Sequence, residues 1–360
     1  MLKEFLFDIC SNQFVSGHEH NNGDILTKYF SPYTDSFEKD NLGSYIFKAT
    51  GSSHTKIMLA AHIDEIGLMI TKILEGGFLS FTSVGGINPA ALVAQDVTVF
   101  GKENIFGVIG IKPPHVTNEE ERNKPLKIND LYIDTGYTKE KLEQLVRIGD
   151  VAAIKREPVS LQGSVISAKA LDDRACVAVM LEAAKELKKI SHKSNVYFTA
   201  TTQEETGMRG AKTSGYKISP DIGIVLDVGF GMTPDMPPET AHLGKGPVAA
   251  YGGRLNAKLT KKFVEVCKKY NYPIQYESVP AGTGTDTDSL QITKDGIPCI
   301  LLSIPLRYMH TSVETIDLRD VENAGKAIAR FINELDNSDL EEILCFKRIN
   351  RTFRRIRLRI

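Results

Sequence analysis

Four apolar runs constrain the fold of this chain more than any other feature: IMLAA (57–61), VYFTATT (196–202), GIVLDVG (223–229) and PCILLSIP (298–305). They read as buried strands. Between them lie helical patterns at 174–189, where Val177, Met180, Leu181, Ala184 and Leu187 share a face, at 256–270 and at 318–336. Strands alternating with helices predict an α/β sheet with parallel pairing. Residues 67–160 have a different texture. GLMITKILEGGFLSFTSVGG, DVTVFGKENIFGVIGIKPP and DVAAIKREPV are short β-type runs broken by Gly, Pro and Asn, and only 138–147 is helical in pattern. That texture predicts a small β barrel or sandwich inserted into the α/β domain.

A chain of 360 residues has room for two such domains. Its net charge of −1 argues against general nucleic-acid binding, and one asymmetry lies beneath it. The last fifteen residues, FKRINRTFRRIRLRI, carry seven Lys or Arg and no acid, leaving the remainder at −8. Five cysteines are scattered without a CxxC, which fits reduced thiols in a cytoplasm rather than a disulfide framework. At the N-terminus Leu2, Phe5, Leu6 and Ile9 recur at helical spacing with Lys3, Glu4 and Asp8 between them. This is an amphipathic helix, not a signal peptide, and no run has the length of a membrane span.

Residues able to hold a metal fall where the strands end. IMLAA runs into His62, with Asp64 two residues on; VYFTATT runs into Glu204 and Glu205; GIVL runs into Asp227; PCILLSIP is followed by His310. In open α/β sheets the carboxyl ends of strands converge on the binding crevice, so these side chains are expected to meet. Asp172, before the helix at 174, is a fifth candidate; of Asp172 and Asp173, one can cap the helix while the other faces the crevice. Oxygen and imidazole donors without cysteine suit Zn, Co or Mn, and five ligand positions suit two ions sharing a carboxylate. Asp64 is placed to hold the second nitrogen of the His62 ring.

The adjacent glutamates of TTQEETGMRG (201–210) are the costliest pair to place, since two carboxylates side by side repel each other. A cation would stabilise one as a ligand and leave the other as a base. The residues alone do not say which is which.

Nine segments in order carry a family resemblance: AAHIDEIGLMI, VGGINP, GVIGIKPPH, DLYIDTG, KALDDR, QEETGMRGA, LDVGFG, LGKGP and RYMHTSVE. Over residues 1 to about 335 the chain resembles the tetrahedral (TET) aminopeptidases, which include glutamyl and deblocking enzymes and some members labelled endoglucanase. The resemblance implies a mixed-sheet, three-layer metallopeptidase domain in two parts (1–66 and 161–345), interrupted by a PDZ-like dimerisation domain (67–160); the basic tail (346–360) lies beyond it. It implies two divalent ions per subunit, Zn or Co, with His62 and Asp227 on one, Glu205 and His310 on the other, and Asp172 bridging. Glu204 would then be the general base and Asp64 the partner of His62. It further implies peptide substrates with a free N-terminus and a dodecamer built from dimers, while charge and the lack of a spanning run argue against nucleic acid and membrane as partners. Thr-Ser-Val follows His310 where many members have Ser-Pro, and the tail at 346–360 matches nothing in the family pattern.

Substrate choice is expected near AGTGTDTDS (281–289), where Asp286 and Asp288 either contact substrate or stabilise a turn, the turn being favoured. Two rival readings stand beside the aminopeptidase. A glycoside hydrolase would use Glu204 and another carboxylate as acid and nucleophile, but the chain has no Trp to stack on a sugar. An inactive metal-binding scaffold would dock an acidic partner through the basic tail.

Overall fold

The computed structural model describes residues 1–21, 23–117, 124–338 and 340–344; the basic tail at 346–360 and Cys345 lie outside the described residues. The N-terminal apolar spacing forms the helix Leu2–Ser11 and buries Leu2, Phe5, Leu6 and Ile9. The chain then lays down β1 (Ser36–Lys39), β2 (Tyr45–Ala49) and β3 (Lys56–His62) of the main sheet. It leaves through β4 (Gly67–Ile73), β5 (Phe78–Val84), β6 (Asp96–Phe100), β7 (Asn104–Ile111), β8 (Leu131–Asp134) and β9 (Val151–Ile154). These six close into a barrel in the order β4-β5-β8-β7-β6-β9, around a core of its own that includes Leu68, Ile70, Phe81, Val97 and Ile133. Of the two expected forms, barrel and sandwich, the barrel is the one found. Closure removes the edges that short, Gly-broken strands would otherwise expose.

Beyond the barrel come β10 (Val159–Ser160), β11 (Val165–Ala168), β12 (Asn195–Thr201), β13 (Ile222–Phe230), β14 (Val248–Gly252), β15 (Gln275–Val279), β16 (Cys299–Leu306) and β17 (Glu314–Asp317). The main sheet has eight strands in the order β1-β2-β12-β3-β13-β16-β14-β15, and β10-β11-β17 form a small second sheet. The central strands β12, β3, β13 and β16 run parallel, while β2 and β14 pair antiparallel on either side, so the sheet is mixed. One face packs on the helices Leu2–Ser11, Gly23–Phe30, Leu171–Leu187, Ala257–Lys269 and Leu318–Leu335. The other face carries Met58, Ala60 and Val225 against Ala211 and Ile218 of the helix Arg209–Ile218 and Leu290 of Thr287–Leu290. Three layers result. Among the described residues no helix is long and apolar enough to cross a membrane. Four free cysteines, Cys10, Cys176, Cys267 and Cys299, are buried.

Two expectations about the helix at 174–189 need correction. Helical turns span Leu171–Leu187, but Asp172 and Asp173 lie outside helical φ/ψ, so the continuous helix begins at Arg174; it is buried on almost every side, Arg174 and Glu182 included, rather than along one face. It lies between the sheet and the helices Leu2–Ser11 and Leu318–Leu335, so water reaches it only near its end, at Lys185 and Glu186. Nor does either side chain cap it: the Asp173 carboxylate, directly before Arg174, makes no hydrogen bond, the Asp172 carboxylate faces His62 and His310, and both are buried.

Strand order decides where the crevice opens. From β3 the sheet continues to β12 on one side and to β13 on the other, the reversal of winding at which ligands collect beside the carboxyl ends. Pairing of β3 with β13 ends at Ala60 and Val225. Two residues further along each strand stand His62 and Asp227, level with each other at the point where the strands part.

Candidate metal centre

The side chains that the sequence placed at strand ends do meet, around Asp172. Its Oδ1 lies 3.1 Å from His62 Nε2 and its Oδ2 lies 3.2 Å from His310 Nε2, so each carboxylate oxygen faces one imidazole. Glu205 Oε1 is 3.4 Å from the same His310 nitrogen, and Glu204 Oε2 is 3.9 Å from His62 Nε2. Asp227 Oδ1 accepts the N–H of Val228 at 2.8 Å, and Asp227 closes a second group of potential ligand atoms with His62 and Asp173. These side chains line a cleft of about 510 Å³ with Gly229, Phe230, Glu277, Val279, Leu301, Ser303 and Met309 along its wall.

Asp64 sits beneath this array, fully buried. The His62 Nδ1 is 3.1 Å from the Asp64 carbonyl and 3.6 Å from its carboxylate. The carboxylate is engaged elsewhere as well. It accepts the backbone N–H of Glu204 at 3.1 Å and of Glu205 at 3.2 Å, which pins the turn that aims both glutamates into the cleft. Sequence reasoning gave Asp64 one task, at the ring; the structure adds this second one.

Three further acids belong to the site: Glu314, to which the sequence gave no role, Asp173, read there as a helix cap or a crevice group, and Asp286, read as a turn former. Glu314 is buried and accepts the N–H of His310 at 2.7 Å and of Asp172 at 3.1 Å, tying two candidate ligands to one carboxylate. Asp173 is buried with neither carboxylate oxygen bonded, and the Cys176 thiol beside it donates to the Asp227 carbonyl at 3.1 Å. Asp286 accepts the Thr201 hydroxyl and is buried under the cleft, whereas Asp288 accepts the N–H of Thr283 and Gly284. The turn reading therefore suits Asp288 and not Asp286. Burial is what tells them apart, and burial is invisible in a stretch of alternating Thr and Asp.

The electrostatics fit cations. Burial, reinforced by neighbouring carboxylates against the opposing His62, pushes Glu204 up to about 9; burial and then Asp172 push Glu205 up to about 7. Burial likewise lifts Asp173 and Asp227 well above the usual carboxylate range. Asp172 moves the other way. Burial would raise it, but its contacts with His310 and His62 outweigh that and hold it below the ordinary value. The same contact with Asp172 raises His310 to about 9. So many buried acids against two imidazoles are short of positive charge, and protons or metal ions must supply it. The donors themselves are hard oxygens and imidazole nitrogens. Potential ligand atoms of His62, Asp172 and Glu205, and of His62, Asp173 and Asp227, lie within 4.8 Å of one another. The nearby Cys176 thiol is buried, which holds it well above its usual value, and it is engaged with the Asp227 carbonyl at 3.1 Å.

The barrel also reaches this centre. His310 Nδ1 is 2.6 Å from the carbonyl of Gly86, just beyond β5. The preceding Gly85 has φ +80°, and a Cβ there would stand 2.8 Å from Ile66 Cγ2 and 3.3 Å from Glu205 Oε2. Gly85→Ala is therefore expected to shift this loop, at a cost of about 1–2 kcal/mol in stability. The looser His310 should lower kcat about tenfold. Calorimetric metal titration and steady-state kinetics check this; wild-type values in both would remove the barrel loop from the site.

With this geometry in place, the comparisons with known proteins become decisive. Residues 43–326 match the model of the M42 glutamyl aminopeptidases. The chain belongs to the M42 peptidase family. It is 36% identical over 342 residues to the lysyl aminopeptidase of Pyrococcus furiosus, covering 93% of this chain and 98% of that one. Among solved structures it is similar to a TET aminopeptidase from a marine-sediment Thaumarchaeota archaeon, with TM-score 0.90 and 33% identity over 96% of this chain and 99% of the other. It is also similar to the Pyrococcus horikoshii TET1 peptidase, which can assemble into a tetrahedron or a large octahedral shell. There the TM-score is 0.82 at 31% identity, over 93% of this chain and 100% of the other. As a member of the M42 family the chain is an aminopeptidase, a hydrolase of peptides, and membership implies divalent metal ions.

Proposed function

We propose that this M42 member removes the N-terminal residue of peptides at a two-metal centre, with Glu204 as general base. The observation that carries the reading is the placement of Asp172, one carboxylate oxygen against His62 and the other against His310. That is the arrangement a bridging carboxylate needs. His62 and Asp227 would hold one ion with Asp172, and Glu205 and His310 the other. Bound there, the cations would acidify water and polarise the scissile carbonyl.

The rest of the chemistry belongs to the chain. Glu204 Oε2 accepts the proton of the attacking water and returns it to the nitrogen of the leaving amine. Asp64 keeps that oxygen in place through the backbone of Glu204 and Glu205. Glu314 and the Gly86 carbonyl hold the backbone and ring of His310. The burial that raises Glu204 matches a proton acceptor that must later give its proton back.

We extend three further points from the relatives to this chain. The barrel of strands β4–β9, within the inserted residues 67–160, serves as the dimerisation module. Dimers build a dodecameric or similarly closed particle, as the assembly described for the P. horikoshii peptidase suggests. Zn or Co fills the centre, in a cytoplasmic enzyme. The names of the relatives leave the preferred residue open, since the family model is of glutamyl enzymes and the P. furiosus protein is a lysyl enzyme.

The test is hydrolysis of aminoacyl-p-nitroanilides and of carboxymethylcellulose, before and after a chelator and after re-addition of Zn or Co. Aminoacyl substrates should be cleaved, the chelator should remove at least about 99% of the rate as a catalytic metal requires, and added ion should restore it. Cleavage of the cellulose alone would replace the peptidase reading with that of a glycosidase.

A further inference from the structure

Glu277 is an acid in the cleft that the proposed chemistry leaves unused. It stands on β15, whose residues alternate, so that Gln275, Glu277 and Val279 turn inward while Tyr276 and Ser278 face water. Its side chain reaches over β14 to β16, where the Ser303 hydroxyl donates to Oε1 at 3.1 Å. Oε2 points at β13 and comes within 4.0 Å of where a Cβ on Gly229 would stand. Burial raises the Glu277 carboxyl above its ordinary value, and only Ser303 offsets this. No cationic side chain among the described residues pairs with it.

Position relative to the metal centre gives this acid a use. Asp227 and Gly229 lie two residues apart on one face of β13, about 6.7 Å along the strand. A separation on this scale is what a four-methylene stem ending in an ammonium would have to cross, when the α-amine of the same residue is held at the metal ligands. The wall between is largely apolar, with Val279, Leu301 and Met309. Methylenes can pack there while the charged head travels on to Glu277.

We propose that Glu277 is the specificity determinant of the cleft and selects peptides with a basic N-terminal residue, lysine first. This rests on the aminopeptidase reading above, and it assigns the side-chain pocket. An ammonium would take the free Oε2 and supply the charge partner that burial has denied the carboxylate. A neutral chain of the same shape would leave that acid unpaired, and an acidic one would be repelled.

The experiment uses the full-length chain loaded with Zn or Co and compares Lys-, norleucyl- and Glu-p-nitroanilides. Norleucine keeps the stem and lacks the ammonium. Wild-type kcat/KM is expected to be about 10- to 100-fold higher for Lys than for norleucyl, as for a site built to bond a polar group. Glu should be the poorest. Glu277→Gln keeps an acceptor for Ser303 and should remove most of the Lys advantage while leaving norleucyl within about threefold. Glu277→Lys should place Glu above Lys. A purely structural role would instead lower Lys and norleucyl together, and that result, or equal wild-type values for the two, overturns the assignment. Calorimetric binding of lysinamide and norleucinamide gives a second readout. Tighter lysinamide binding that Glu277→Gln abolishes, in a protein that cleaves none of the anilides, would uphold the pocket and refute the aminopeptidase reading.

Discussion

Glu204→Gln is expected to lower kcat by about 10²–10⁴-fold with metal content, fold and KM close to wild type. The amide keeps the shape of the side chain and cannot take a proton from water. Glu204 Oε2 lies 3.9 Å from His62 and makes no shorter contact with either histidine, so its loss should leave the candidate ligands where they are. Glu205→Ala should behave differently. Its Oε1 is 3.4 Å from His310 Nε2, and removing it takes a charged donor from the ion held with His310. One equivalent of metal should then be lost or bound far more weakly. Metal stoichiometry by emission spectrometry and aminopeptidase kinetics on both variants separate the two roles. Metal loss in Glu204→Gln with two ions retained in Glu205→Ala would invert the assignment.

Glu65→Ala should destabilise the protein by about 3–5 kcal/mol, the range for breaking a buried charge network by removing one partner. Glu65 is buried between two cations, 2.9 Å from Arg174 Nη2 and 2.6 Å from Lys169 Nζ, and it also accepts the N–H of Phe14. Arg174 is itself fully buried and donates to the carbonyls of Ile9 and Asn12 at 2.9 Å each. This one network fixes the end of the helix Leu2–Ser11, the exit from β3 and the start of the helix that carries Asp172. Without Glu65 both cations would be stranded in the core. The urea midpoint of the full chain reads the loss, and a shift worth less than about 1 kcal/mol would show that water reaches the two cations. Acid should act in the same direction. Burial opposes ionisation of Glu65, but Arg174 and Lys169 outweigh it and hold its pKa below the ordinary 4.5. Its contribution is therefore present above that value and is lost as pH falls through the depressed one.

Arg174 and Glu65 also show where sequence reading stops. Both fall inside quoted motifs, KALDDR and AAHIDEIGLMI, yet neither stood out as structural, because a charged residue in a helix start or a strand exit reads as solvated. Only the packing of three elements against one another takes the water away. The same holds for Glu314, whose two backbone hydrogen bonds join segments far apart in the chain, and for Asp173, which looked like a helix cap. The role of Gly86 could not be read at all, since its contribution is a carbonyl oxygen.

What the sequence determined by itself was local. Continuous apolar runs specify the central strands, because only a segment covered on both faces tolerates them. They placed β3, β12, β13 and β16 within a residue or so of the observed ends. Gly-broken short runs announced a separate β unit, the motifs that end each run named His62, Asp64, Glu204, Glu205, Asp227 and His310, and the helix start at 174 named Asp172. What only the tertiary structure decided was everything set by distance across the chain. The parallel register puts His62 level with Asp227, and strand order places the crevice at β3. Closure of the barrel brings its loop to His310, and β15 delivers Glu277 to a wall that the sequence had placed at 281–289. Strand propensity is encoded within a few neighbouring residues. Desolvation, and the charge pairing it forces, depends on which distant segments cover a group, and no short stretch of sequence contains that information.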